Sequence, residues 1–170
     1  MNVGTANPFS KLGSLATGIQ NPGMEFGYQF NWRNKKKHDW YQEIKLAYFY
    51  QRFVQHAIPL YTDVGYRYKF SQKWTAQATI GAGYMHSIPA TAQLKLQSNG
   101  EYKNGKGIGR MQAVGVFNIG ASHTLNPTKP VTLFITYQQM LQMPFINSYV
   151  PLLPYNNLLL GISISLKSKK

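Results

Sequence analysis

The fold class this chain predicts is all-β: an antiparallel up-and-down barrel whose strands cross a bilayer. Three observations predict it. Residues alternate in character two by two through a series of segments about 10–13 residues long, enough for a tilted strand to cross a membrane. The two faces so created differ in volume, one rich in Trp, Tyr, Phe, Leu and Ile, the other in Gly, Ser, Thr, Gln and Asn. All three tryptophans, Trp32, Trp40 and Trp74, stand immediately beside short turns.

The elements follow in order. The first strand, 24–33, reads MEFGYQFNWR: Met24, Phe26, Tyr28, Phe30 and Trp32 share one face, and Glu25, Gly27, Gln29, Asn31 and Arg33 the other. After the turn NKKKHD, the second strand, about 40–51, sets Trp40, Ile44, Leu46, Tyr48 and Tyr50 against Tyr41, Glu43, Lys45, Ala47 and Gln51. A longer link containing FVQHAIP leads to the third, about 60–70, with Leu60, Val64, Tyr66, Tyr68 and Phe70 opposite Tyr61, Asp63, Gly65, Arg67 and Lys69. The tight turn SQK precedes the fourth, about 74–86, where Trp74, Ile80 and Tyr84 oppose Thr75, Gln77, Thr79, Gly81 and Gly83. Residues 87–109 form the longest connection, loop-like at SNGEYKNGKG, with 91–98 extending a hairpin above the sheet. The fifth strand is about 110–124, and NPTKP leads to the sixth, 131–142. The Pro-punctuated segment PFINSYVPLLPYN then connects to the seventh, about 157–167.

Composition narrows the function. The 170 residues suit one domain, and the absence of Cys excludes disulfides, thiol nucleophiles and thiolate metal sites. The 18 basic against 5 acidic residues give a formal charge of +13, which raises the question of nucleic acid or an anionic membrane surface. The placement of the charge argues against nucleic acid. Arg33, Lys35, Lys36, Lys37, Lys69 and Lys73 flank short turns at one end, where they are solvated or meet anionic headgroups, and none lies on a groove-reading helix. The start MNVGTANPFSKLGS has no basic-then-apolar secretory pattern, and prolines interrupt the apolar 131–166 region before it could form a spanning helix.

Which face is inside follows from volume and charge. The aromatic faces are too bulky for the lumen of a barrel of about eight strands, and the opposite faces are too poor in charge for a soluble surface. The bulky face is therefore expected outside, in lipid. Trp32, Trp40 and Trp74 would form an aromatic belt at one interface, with Tyr48 and Tyr84 approaching the other.

On the strand pattern, the short-turn and long-loop alternation and the terminal strand NLLLGISISL, residues 24–167 resemble the small outer-membrane β-barrels of Gram-negative bacteria. The resemblance is architectural and implies an outer-membrane location. Two features depart from it: Leu166 followed by KSKK stands where such barrels often end on an aromatic residue, and seven strands are read where an even number is usual. An eighth strand is expected at or before the N-terminus, either upstream of a truncated start or as an irregular strand over 11–20, KLGSLATGIQ. The division is thus 1–22, an irregular segment or remnant of a first strand or loop; 23–167, the barrel; and 168–170, a basic tail.

Glu25, Glu43, Lys45, Asp63 and Arg67 share the polar face of the first three strands, so a salt-bridged lumen is expected. Pairing would bring Glu43 near Arg67, or Lys45 near Asp63, depending on register. His86 and Ser87, with His56 on the same rim, are the candidates for a lipid-A acyl hydrolase-like site, since Ser needs a base and the base an orienting acid. Adjacent strand residues point to opposite faces, however, and Glu101 is the sole acid in the long loops. His38 and His123 read as a turn residue and a strand-end residue, with no metal-ligand spacing, and GKGIG at 105–109 lacks the lysine and helix of a phosphate loop.

The resulting expectation is a non-enzymatic outer-membrane barrel with a plugged polar lumen, no metal and no cofactor. Its partners are outer-membrane lipids, with loops 87–109 and 143–156 as contact surfaces for other outer-membrane or surface proteins. The alternatives are a lipid-modifying enzyme using His86 and Ser87, and a soluble ligand-binding barrel.

Overall fold

The computed structural model describes residues 2–4, 21–52, 54–91, 94–96, 100, 102–104, 108–125, 131–144 and 152–165. They form ten strands: β1 (Asn2–Gly4), β2 (Asn21–Asn34), β3 (His38–Gln51), β4 (Gln55–Lys69), β5 (Trp74–Pro89), β6 (Leu94–Leu96), β7 (Tyr102–Asn104), β8 (Arg110–Thr124), β9 (Val131–Met143) and β10 (Leu153–Ile164). The seven long strands make one antiparallel up-and-down sheet in the order β2-β3-β4-β5-β8-β9-β10, curled into a half-barrel. β6 and β7 form a separate small hairpin within the β5–β8 connection.

The eighth position is filled by a short strand. β1 pairs with β10 through Asn2↔Leu158 to Gly4↔Asn156, and with β2 through Asn2↔Pro22 and Val3↔Asn21. It links the two outer long strands at the long-connection end. Along 23–34 of β2 and 159–164 of β10, no ladder joins these edges among the described residues. The alternative eighth strand at 11–20 lies outside the described residues, as do Leu166 and the basic tail.

Three boundaries differ from expectation. The link after β3 is short, 52–54, because β4 already begins at Gln55. Pro59 is accommodated there by a gap in the β3–β4 ladder between Leu46↔Leu60 and Phe49↔Ala57, where no N–H is required of it. β5 extends to Pro89, and β10 begins at Leu153, so Ser87 and Tyr155 lie in strands and not in loops. A bulge near Trp32 shifts the register between Asn31↔Tyr41 and Arg33↔Trp40.

The outer face carries the large apolar side chains, exposed from Met24 and Phe26 on β2 to Leu160 and Ile162 on β10. The inner face is filled unevenly. Towards the long connections it holds a packed group including Phe49, Ala57, Tyr61, Met85, Val114, Met140 and Tyr155. Towards the short turns it surrounds a cavity of about 870 Å³.

Glycines make room for the side chains that cross this concave face. The Tyr41 ring lies over Gly65, and the Phe134 ring over Gly161. A methyl at Gly65 would stand 2.4 Å from Tyr41 Cζ and 2.7 Å from Thr79 Cγ2, whereas at Gly115 it would meet nothing within 4 Å. Gly65→Ala is therefore expected to destabilise the fold by about 1–3 kcal/mol, as overpacking does. Gly115→Ala should leave the urea unfolding midpoint close to that of the native protein.

Candidate functional site

The register places Glu43 directly opposite Asp63, a like-charge pair that is unfavourable alone. Lys45, one step along the same face, resolves it: its Nζ is 2.7 Å from Glu43 Oε2 and 2.9 Å from Asp63 Oδ2. The Lys45 stem also packs against Gly27, its cross-strand neighbour. Asp63 Oδ2 accepts two further hydrogen bonds, from Thr79 Oγ1 and Asn118 Nδ2, both at 3.0 Å. Glu25 instead accepts from the Tyr61 hydroxyl at 2.6 Å, and Gln138 donates to that same hydroxyl at 2.8 Å. Of the two pairings the sequence left open, the Lys45–Asp63 arrangement is present.

Arg67 stands apart from these pairs. It forms no ion pair among the described residues. Asp39, opposite it in register, is engaged by Lys69 at 2.8 Å. The Arg67 guanidinium lies over the Tyr41 ring, 4.4 Å from its centroid. Its Nη2 donates to Gln29 Oε1 at 2.8 Å, and Nε and Nη2 reach Gln77 Oε1 at 3.4 and 3.3 Å.

Towards the long connections the polar contacts are neutral. Gln55 Nε2 donates to Gln142 Oε1 at 2.9 Å and to the Tyr155 hydroxyl at 2.6 Å, and Tyr155 in turn donates to Gln142. Ser87 donates to Gln55 Oε1, and Gln142 to Gln112. Asn157 donates to Gln138 at 2.7 Å. Gln138, Gln142, Asn157 and Tyr155 are wholly buried. The sequence alone does not reveal this network, because the prolines near Gln55 and Tyr155 make both residues read as parts of connections. Carrying the two-residue period back from Tyr61 to Gln55, and from Leu159 to Tyr155, is the signal that would have placed them on the inner face.

The structure does not bring the candidate hydrolytic residues together. Ser87 points inward to Gln55, while His86 bonds the Tyr84 hydroxyl at 2.8 Å and the Ile108 carbonyl at 2.9 Å. His56 belongs to β4, not to a loop, and its Nδ1 is 3.0 Å from the Tyr48 hydroxyl. Glu101 lies outside the described residues, as does much of both long loops. No group of three or more His, Asp or Glu able to hold a metal occurs among the described residues. His38 opens β3 and bonds the Tyr66 hydroxyl, and the His123 ring packs on Trp74 with centroids 4.5 Å apart. Trp32, Trp40 and Trp74 are exposed beside the short turns, with Trp40 against Tyr66; Tyr48 is exposed and Tyr84 half-buried nearer the other end.

Lys45→Met should destabilise the protein by about 1–3 kcal/mol, because it leaves the buried Asp63 facing Glu43 with no cation between them, while the cavity beside Glu43 moderates the cost. Converting all three residues, as Glu43→Gln, Lys45→Met and Asp63→Asn, should recover most of the loss in urea unfolding. Compared with family models, curated proteins and solved structures, the chain matches none of them, and its function is read from the geometry above.

Proposed function

We propose that this chain is a small outer-membrane β-barrel with a plugged polar interior, acting as a structural or accessory subunit. The observation that carries the reading is the inversion of its two faces. Phe26, Ile80 and Leu160 are each exposed by 68–69% on the outer face, while Asp63, Asn118, Gln138 and Gln142 are buried on the inner one. A soluble monomer rarely exposes so extended an apolar surface. Each such side chain kept in water forgoes about 1.5–3 kcal/mol of burial. In a bilayer the same surface is at home; the ladders satisfy the backbone of the inner strands, and on this reading the edges of β2 and β10, bridged by β1 at one end, close on each other along the rest of their length.

Trp32, Trp40 and Trp74 then sit at the headgroup level of the short-turn end, next to Lys35, Lys36, Lys37 and Lys73, where anionic lipid favours both residue types. The buried Gln55–Gln142–Tyr155 network and the apolar group around Met85 obstruct passage through the interior, which favours a non-conducting role. Contacts with outer-membrane or surface proteins fall to loops 87–109 and 143–156. The separation of Ser87 from His86 weighs against the lipid-modifying alternative.

Expressed behind a secretory signal in a Gram-negative host, the protein should fractionate with outer membranes. It should require detergent for extraction and run faster on a denaturing gel before boiling than after. A monodisperse, detergent-free monomer would instead establish the soluble-barrel alternative.

A further inference from the structure

We propose that the cavity at the short-turn end binds a small oxyanion, a phosphate or carboxylate group gripped by Arg67. This stands on the cavity alone and holds whatever solvent surrounds the outer face. The chain has five acidic residues, and four of them lie in the described part. Each of the four is already engaged: Glu43 and Asp63 by Lys45, Asp39 by Lys69, and Glu25 by the Tyr61 hydroxyl. Arg67 makes its side-chain contacts with amide oxygens and an aromatic ring, Asp39 opposite it in register being turned to Lys69, and it lines the cavity.

The arrangement fixes the guanidinium without neutralising it. Tyr41 supports its face, while Gln29 and Gln77 hold its Nε and Nη2. Among the described residues Nη1 has no hydrogen-bond partner and is not one of their buried unpaired polar atoms, which leaves it for a ligand in the cavity. A guanidinium held in this way presents donors that match two oxygens of one carboxylate or phosphate. Lys36, Lys37, Lys45 and Lys69 line the same cavity with Arg67, against the two carboxylates Glu25 and Glu43, so its lining carries five cations to two acids. Its volume of about 870 Å³ admits a small organic anion as well as an inorganic one.

The test uses full-length protein in zwitterionic detergent micelles. Inorganic phosphate and acetate are titrated in separate arms while the arginine side-chain N–H resonances are followed by NMR. The tighter arm identifies the anion class. A saturable one-site shift of the Arg67 Nε–H signal is expected, weakening as salt rises. Arg67→Gln should bind at least tenfold more weakly, and Arg67→Lys, which keeps the charge but loses the fork, at least threefold. Should Arg67→Gln fail to fold, the Lys36→Ala/Lys37→Ala variant carries the test, with a several-fold weakening expected. No saturable shift with either anion, unaltered binding in Arg67→Gln, or unaltered binding in Lys36→Ala/Lys37→Ala would overturn the proposal.

Discussion

A curled antiparallel sheet has less room on its concave face than on its convex one, and this inequality governs where every side chain goes. Tyr41 can lie inward because Gly65 beneath it has no side chain, and Phe134 because of Gly161. The Lys45 stem lies against Gly27 on β2 while its ammonium meets Glu43 and Asp63. On the convex face no such economy applies, and large residues such as Phe26, Phe30, Trp40 and Leu160 stand outward. The small polar residues of the inner face are thus spacers for a few large ones.

The same constraint divides the interior into two chemically different halves. Near the long connections the inward residues are long and neutral, and amides, hydroxyls and apolar groups close on one another. Near the short turns charges enter, and their number forces a particular arrangement. Two carboxylates meet at Glu43↔Asp63, one lysine serves both, and a second lysine takes Asp39. That leaves Arg67 with a charge and no acid. Arg67 lines the cavity without a direct ion pair among the described residues, because its contacts, Gln29, Gln77 and Tyr41, carry no formal charge.

Much of the sheet was legible in the sequence because period-two alternation is a local signal. β2, β3, β8 and β9 were placed within a few residues, and the facing of each strand was read correctly from side-chain size. What was lost depended on residues that interrupt the signal. Pro59 made the start of β4 read as a connection, although a ladder gap absorbs it, and Pro151 and Pro154 did the same for β10. The buried Gln55–Gln142–Tyr155 network disappeared with those two strand ends. The site of charge was legible only as a set of residues, because partner choice depends on register. A shift of four residues along β4 would have set Arg67 opposite Glu43 in place of Asp63. The need for a strand at or before the N-terminus is legible from the odd count, but the residues of β1 are not, since three residues carry no periodicity.

The proposal that lipid surrounds the convex face is tested most directly by depth-dependent fluorescence quenching. A single tryptophan is placed at Phe117, outward near the middle of β8, after Trp32, Trp40 and Trp74 are replaced by Phe. In vesicles, lipids brominated deep in the acyl chain should quench it strongly and aqueous iodide hardly at all. Efficient quenching by iodide, with none from brominated lipid, would contradict the account.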